Sequence, residues 1–88
     1  MANSQNNITP TSGVVRSVNG QIAIIEIETD NFPTIFEIMI CPQNPMVIME
    51  VYSLSKTQAS CLILSNPAFL NRGMHIVGTG SDLKIPVG

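Results

Sequence analysis

The sequence is a succession of short β-prone runs separated by turn signals, with no helical pattern of ordinary length. Asn19-Gly20 is the strongest of these signals, because both residues accept positive φ at the centre of a tight hairpin. Two prolines in "CPQNP" (41–45) are expected to interrupt strand pairing, and "SNPAFLNRG" (65–73) is a longer loop with room for one helical turn. The predicted strands are residues 13–18, 21–28, 34–40, 46–53 and 58–64, followed by "MHIVG" and "LKIP" on either side of a Gly-Ser-Asp turn.

These runs predict an all-β fold, a small closed six-stranded antiparallel barrel. Short strands at regular spacing are typical of barrels and sandwiches, and closure removes the unpaired edges that a small open sheet would expose. The chain has 88 residues, which corresponds to one domain. We expect a flexible polar leader over residues 1–12 and the barrel over residues 13–88, with order beginning at Gly13.

Charge, hydropathy and cysteine content exclude several classes of function. The formal charge is −2 and the four basic residues are scattered, whereas nucleic-acid binding requires a cluster of basic residues. No apolar run approaches the roughly 20 residues of a membrane helix, and the polar start of the chain has no signal-peptide pattern. Cys41 and Cys61 are interpreted as buried thiols that act as small hydrophobes. The sequence predicts a protein of the cytosol or an organelle interior, without nucleic-acid binding or membrane insertion.

Candidate catalytic chemistry is sparse. "GTGSDLK" lacks the Gly-Lys-Ser/Thr of a phosphate-binding loop. His75 is the single histidine of the sequence, and a metal site needs several convergent ligands. Glu26, Glu28 and Asp30 are interpreted as a solvated strand edge. We therefore expect no catalytic residue, no cofactor, no metal ion and no small-molecule ligand.

The second and fourth runs alternate only partly between apolar and polar residues, unlike a typical half-buried strand. One face of these runs holds Ala23, Ile25, Ile27, Val47, Met49 and Val51. The opposite face is also largely apolar. Either a bulge or a strand end explains this, or the second face lies outward against a neighbouring subunit. The outward residues would be Ile22, Ile24, Met46, Ile48 and Tyr52.

Several pieces of the sequence together resemble a known family. "GVVRSVNG" (13–20), "FPTI" (32–35), "MEV" (49–51) and "FLNRGMHIVGTGSDLKIPVG" (69–88) are similar to the N-terminal β-barrel domain of F-type ATP synthase alpha and beta subunits, and most similar to beta. The matching positions are Gly13, Val18, Gly20, Pro33, Ile35, Glu50, Val51, Leu70, Arg72, Gly73, Ile76, Thr79, Gly80, Ile85, Pro86, Val87 and Gly88.

The resemblance implies a structural barrel in the crown ring that holds the alpha/beta hexamer during proton-driven ATP synthesis, peripheral to a membrane complex. It implies that the outward residues named above contact neighbouring barrels, with Glu37 and Arg72 as polar rim partners. Pro-Val-Gly would mark the exit toward a nucleotide-binding domain, and the barrel by itself would have no catalytic activity. The turn or structural positions would be Gly13, Gly20, Gly73, Gly80, Pro86 and Gly88. Of these, Gly20, Gly73 and Gly80 are predicted to be hairpin or turn positions that need positive φ.

Two other functions remain open at this point. One is the equivalent barrel of a flagellar or type III secretion ATPase. The other is a stand-alone adaptor barrel, unrelated to ATPases, that binds a peptide or protein through its apolar outer face.

Overall fold

The chain folds into a closed β-barrel in the computed structural model, which describes residues 11–82. The sheet order is β1-β2-β5-β4-β3-β6 with all neighbours antiparallel, and the β1–β6 pair closes the barrel. The predicted closed six-stranded barrel is therefore confirmed. Within the described range no helix is long and apolar enough to cross a membrane. The strands are β1 (Ser12–Asn19), β2 (Ile22–Ile27), β3 (Glu37–Cys41), β4 (Asn44–Ser55), β5 (Gln58–Ile63) and β6 (His75–Asp82).

The barrel interior is formed by every second residue of its strands, because successive side chains of a strand point to opposite faces. The inward face that alternation predicted for β2 and β4 is confirmed: all six of its residues are buried. The polar or mixed face of each strand therefore lies outside. The most deeply buried side chains of the core are Val15, Ala23, Ile25, Met39, Cys41, Val47, Met49, Val51, Ala59, Cys61, Ile63 and Ile76.

The first hairpin turns one residue later than the sequence predicted. Asn19 pairs with Ile22, so the two-residue loop is Gly20-Gln21. Gly20 has a φ of 63°, and Gln21 is not among the residues with positive φ. A glycine at the first central position is the pattern of a type II′ turn, whereas the expected type I′ turn requires positive φ at both positions.

The proline-rich segment between β3 and β4 interrupts pairing only in part. Asn44 pairs with Cys41 across a two-residue loop, and the next registered pair is Ile40 with Ile48. Pro45 therefore lies inside β4, in the bulge between these two pairs. A proline is tolerated there because a bulge residue donates no ladder hydrogen bond.

The predicted Gly-Ser-Asp turn near the end of the chain is wrong, because residues 80–82 continue β6. The pairs Met39–Gly78 and Glu37–Asp82 bracket a bulge in β6, and the φ of 77° at Gly80 lies within it. Gly80 therefore has the positive φ that the sequence predicts, but it forms a bulge in β6 and does not reverse the direction of the chain. The predicted strand "LKIP" lies outside the described residues.

Order begins before Gly13, the residue at which the sequence analysis placed it. Ser12 already belongs to β1. Thr11 is 5% exposed, and its carbonyl accepts a hydrogen bond from the Gly78 N–H at 2.8 Å. This contact with β6 makes Thr11 part of the barrel, while residues 1–10 of the expected leader lie outside the described range.

The helical turn expected in residues 65–73 is confirmed as the 3₁₀ helix Pro67–Phe69. The Asn66 side chain caps it by accepting a hydrogen bond from the Ala68 N–H at 2.9 Å. Leu70 follows directly and is 6% exposed. The cap and the buried leucine fix the long connection between β5 and β6 onto the barrel.

Candidate protein-binding surface

The outer side of strands β3, β4, β5 and β2 carries a row of registered residues. Glu50 on β4 lies opposite Ile38 on β3 and opposite Leu62 on β5. Leu62 in turn lies opposite Ile22 on β2. Directly opposite residues have Cβ atoms about 5 Å apart, so these four side chains are neighbours on the outer side of the sheet, where Ile38 is itself buried at 7% exposure.

A second row lies beside the first, toward the start of β4. Ile40 pairs with Ile48, and the Ile48 carbonyl accepts a hydrogen bond from the Leu64 N–H at 2.9 Å. The Ser65 hydroxyl accepts a hydrogen bond from the Ile48 N–H at 3.2 Å, which ties the end of β5 to β4. Ile48 and Leu64 are 38% and 43% exposed.

The two rows form one continuous apolar surface, which we call the outer apolar face. Large exposed apolar side chains gathered on one side of a small domain are typical of a protein-binding surface. In a closed barrel the backbone of each strand is paired on both sides, so binding through this face depends on side chains. The outer apolar face comprises Ile22, Ile48, Tyr52, Leu62 and Leu64 around Glu50.

The predicted interface residues are distributed over this face and its surroundings. Tyr52 is 48% exposed on β4, at a register shift between β4 and β5. Ile22 and Ile24 are half-buried on β2. Met46 is 59% exposed but lies in the bulge at the start of β4. Arg72 is exposed in the turn that precedes β6.

Glu37 is not the rim residue that the resemblance implied, because the structure buries it to 6% exposure. Its Oε1 accepts a hydrogen bond from the Thr34 N–H at 2.9 Å. Its Oε2 accepts one from the Gly80 N–H at 2.9 Å. The carboxylate is therefore used inside the protein, where these two backbone donors replace the water that it would meet at a rim.

The turn glycines have two different physical reasons for lacking a side chain. Gly20, Gly73 and Gly80 have the positive φ that the sequence predicts, at 63°, 87° and 77°. Gly13 has no such φ, but a Cβ added there would lie 2.1 Å from the Glu26 carbonyl oxygen. The β2 backbone lies too close to position 13 for any residue other than glycine. Pro86 and Gly88 lie outside the described residues.

Leu62 and Leu64 are members of the outer apolar face that the sequence analysis missed. Their signal was present in "CLIL" (61–64), where they alternate with residues that the barrel interior buries. Their adjacency to Ile48 depends on strand order, which alternation within one strand does not reveal.

The titratable groups of the barrel offer little reactivity. A hydrogen bond from Gln58, a second from Thr57 and the charge of Arg16 lower the pKa of the Glu26 carboxyl. Burial raises the pKa of the Cys61 thiol to about 12, which keeps it protonated. Within the described part of the chain, no three His, Cys, Asp or Glu side chains are grouped closely enough to hold a metal ion.

No known protein-family model matches the sequence. The fold and the surface define the class of protein: a small closed barrel with an apolar exterior face.

Proposed function

We propose that this chain is a non-catalytic structural module that assembles with other barrel domains through its outer apolar face. The observation that supports this is the contiguity of exposed apolar side chains across three neighbouring strands, β2, β5 and β4. Ile48, Leu62 and Leu64 are each 38% or more exposed. Leu64 lies opposite Ile48 on β4, and Leu62 lies opposite Ile22 on β2.

The barrel architecture suits a module that holds other parts in place. Every strand has a paired neighbour on each side, so the barrel has no edge strand that would recruit a further strand by backbone hydrogen bonding. Contacts between such barrels depend on complementary side chains, as in protein interfaces with an apolar centre and a polar rim. A closed hydrogen-bonded cylinder also keeps its shape while attached domains move.

We further propose that the assembly is the crown of a rotary F-type ATP synthase head, with this chain as a beta-like barrel beside alpha-type barrels. The support for this finer proposal is the sequence resemblance, above all "RGMHIVGTG" (72–80) before the Ile-Pro-Val-Gly end. In that setting the chain would work in the cytosol or an organelle interior, at the periphery of a membrane complex. ATP chemistry would belong to the nucleotide-binding domains of the parent subunits.

The test is co-assembly of the 88-residue chain with the alpha-type subunit encoded in the same genome. Size-exclusion chromatography with light scattering should give a mixed complex for the native chain. Ile48→Lys should abolish the complex without unfolding the barrel, because the lysine places a charge in the outer apolar face. His75→Lys adds the same charge at an exposed position on β6 and serves as the matched control.

Two results would overturn the proposal. One is the absence of any complex with the alpha-type subunit, in which case a stand-alone adaptor barrel becomes the better explanation of the face. The other is ATP binding by this chain unaided, measured by calorimetry, because no role in nucleotide binding is proposed for its residues.

A further inference from the structure

Glu50 lies at the centre of the outer apolar face. It is opposite Ile38 and Leu62 on the neighbouring strands, at Cβ distances of about 5 Å. Ile48 and Tyr52 are exposed two residues before and after it on β4. Glu50 itself is half-buried, so a carboxylate is surrounded on four sides by apolar side chains.

The Glu50 carboxylate has no hydrogen-bond or ion-pair partner among residues 11–82. Glu26, an outward carboxylate near the end of β2, is different. It accepts a hydrogen bond from Gln58 at 3.1 Å and lies 3.9 Å from the guanidinium of Arg16. Residues 11–82 therefore provide partners for the Glu26 carboxylate and none for the Glu50 carboxylate.

We propose that Glu50 determines which partner the outer apolar face accepts, by receiving an arginine or lysine from the partner's surface. This inference rests on the proposed function, since it concerns the same interface. An apolar surface docked on the face removes water from Glu50, and an ionised carboxylate without a partner is costly to bury. A partner that brings a cation to this point offsets much of this cost through the ion pair, and a partner without one is disfavoured.

Arginine fits the site better than lysine. Its guanidinium is more weakly hydrated than an ammonium group and pairs with both oxygens of a carboxylate. A second copy of this chain fits poorly, because a two-fold dimer centred on the face would bring two Glu50 carboxylates together. The occupant is therefore a different chain whose surface is apolar around one basic residue.

The experiment measures binding of the full chain to the alpha-type subunit of the same genome by isothermal titration calorimetry. Glu50→Gln keeps the size of the side chain and removes its charge. It should weaken binding by at least about tenfold, since truncating one partner of a desolvated charge pair commonly has an effect of this size or larger. Glu28→Gln removes a charge at an exposed position beyond the end of β2 and should leave binding unchanged.

A charge-reversal experiment distinguishes a direct ion pair between Glu50 and the partner from a general loss of complementarity between the two surfaces. Glu50→Lys should abolish binding, and replacing one basic residue of the partner by glutamate should restore it. Thermal melting of each variant by circular dichroism checks that the barrel remains folded.

The outcomes separate this inference from the proposed function. If Ile48→Lys abolishes binding while Glu50→Gln binds like the native chain, Glu50 is not the determinant, although the assembly role stands. If the native chain does not bind the alpha-type subunit, both proposals fail. A homodimer that Ile48→Lys dissociates, seen by sedimentation equilibrium, would make a second copy the occupant and overturn the inference.

Discussion

The carboxylate of Glu37 accepts a hydrogen bond from the backbone N–H of Gly80 at 2.9 Å, across 43 residues of sequence. Glu37 is the first residue of β3, and Gly80 lies in the bulge of β6. The other carboxylate oxygen accepts the Thr34 N–H at 2.9 Å. One buried side chain therefore joins the entry of β3 to the irregular part of β6, where the regular ladder between these strands is broken.

Glu37→Gln should destabilise the barrel. The amide has only one acceptor oxygen, so its NH₂ group would face a backbone N–H, either that of Thr34 or that of Gly80. Leaving a buried donor unpaired costs about 1–3 kcal/mol. Urea denaturation should show the decrease in the free energy of unfolding. Glu28→Gln, at an exposed carboxylate, is the control, and equal midpoints for both variants would contradict the structural role of Glu37.

Gly78 and Glu37 should be energetically coupled. A Cβ added at Gly78 would lie 2.3 Å from Oε2 of Glu37, so Gly78→Ala must displace the carboxylate from its two donors. We expect Gly78→Ala to cost roughly 1–3 kcal/mol in the native background. In the Glu37→Ala background the clash with the carboxylate is absent and only the close approach to Thr11 Cβ at 3.3 Å remains, so the cost should be smaller by about 1 kcal/mol or more. Additive effects in this double-mutant cycle would show that the two residues act independently.

Replacing Gly20 by alanine should destabilise the barrel, whereas replacing Lys56 by glycine should stabilise it. Both occupy two-residue hairpin loops with positive φ, at 63° and 38°. No atom lies within 4 Å of a Cβ added at Gly20, so Gly20→Ala costs only the left-handed backbone, roughly 1–2 kcal/mol. Lys56→Gly removes the same strain and should gain up to about 1 kcal/mol, reduced by the entropy of glycine in the unfolded chain. Thermal melting of the two variants measures both changes in stability, and an unchanged melting temperature for Gly20→Ala would count against the turn geometry.

Cys61 should be unreactive in the folded barrel and should make stability fall at alkaline pH. Burial raises the pKa of its thiol from 9.0 to about 12. A group whose pKa is raised on folding contributes stability below its unfolded pKa and loses that contribution as the pH rises through its folded pKa. The free energy of unfolding should therefore decline above about pH 9, and less so in Cys61→Ala. Iodoacetamide should label Cys61 only in denaturant, and rapid labelling of the native chain would show that the thiol is accessible.

Sequence reasoning located much of the fold and part of the surface. Ala23, Ile25 and Ile27 were placed inside by alternation, and the structure buries all three. Ile48 was placed outside correctly. Glu37 was misplaced, because a glutamate within a strand is ordinarily solvated, and only the folded chain brings the Gly80 N–H to it. The apolar surroundings of Glu50 could not be predicted from the sequence either, since Leu62 becomes its neighbour only when β5 pairs with β4.

Local order in this protein was determined by the sequence: where most of the strands lie, which side of β2 and β4 is buried, and which glycines take positive φ. These properties depend on neighbours a few residues away, through alternation and backbone sterics. The tertiary structure decided the turn at Gly20-Gln21, the bulges at Pro45 and Gly80, the burial of Glu37 and the apolar surroundings of Glu50. Each of these depends on strand register, and register is fixed by the packing of all six strands around one closed core.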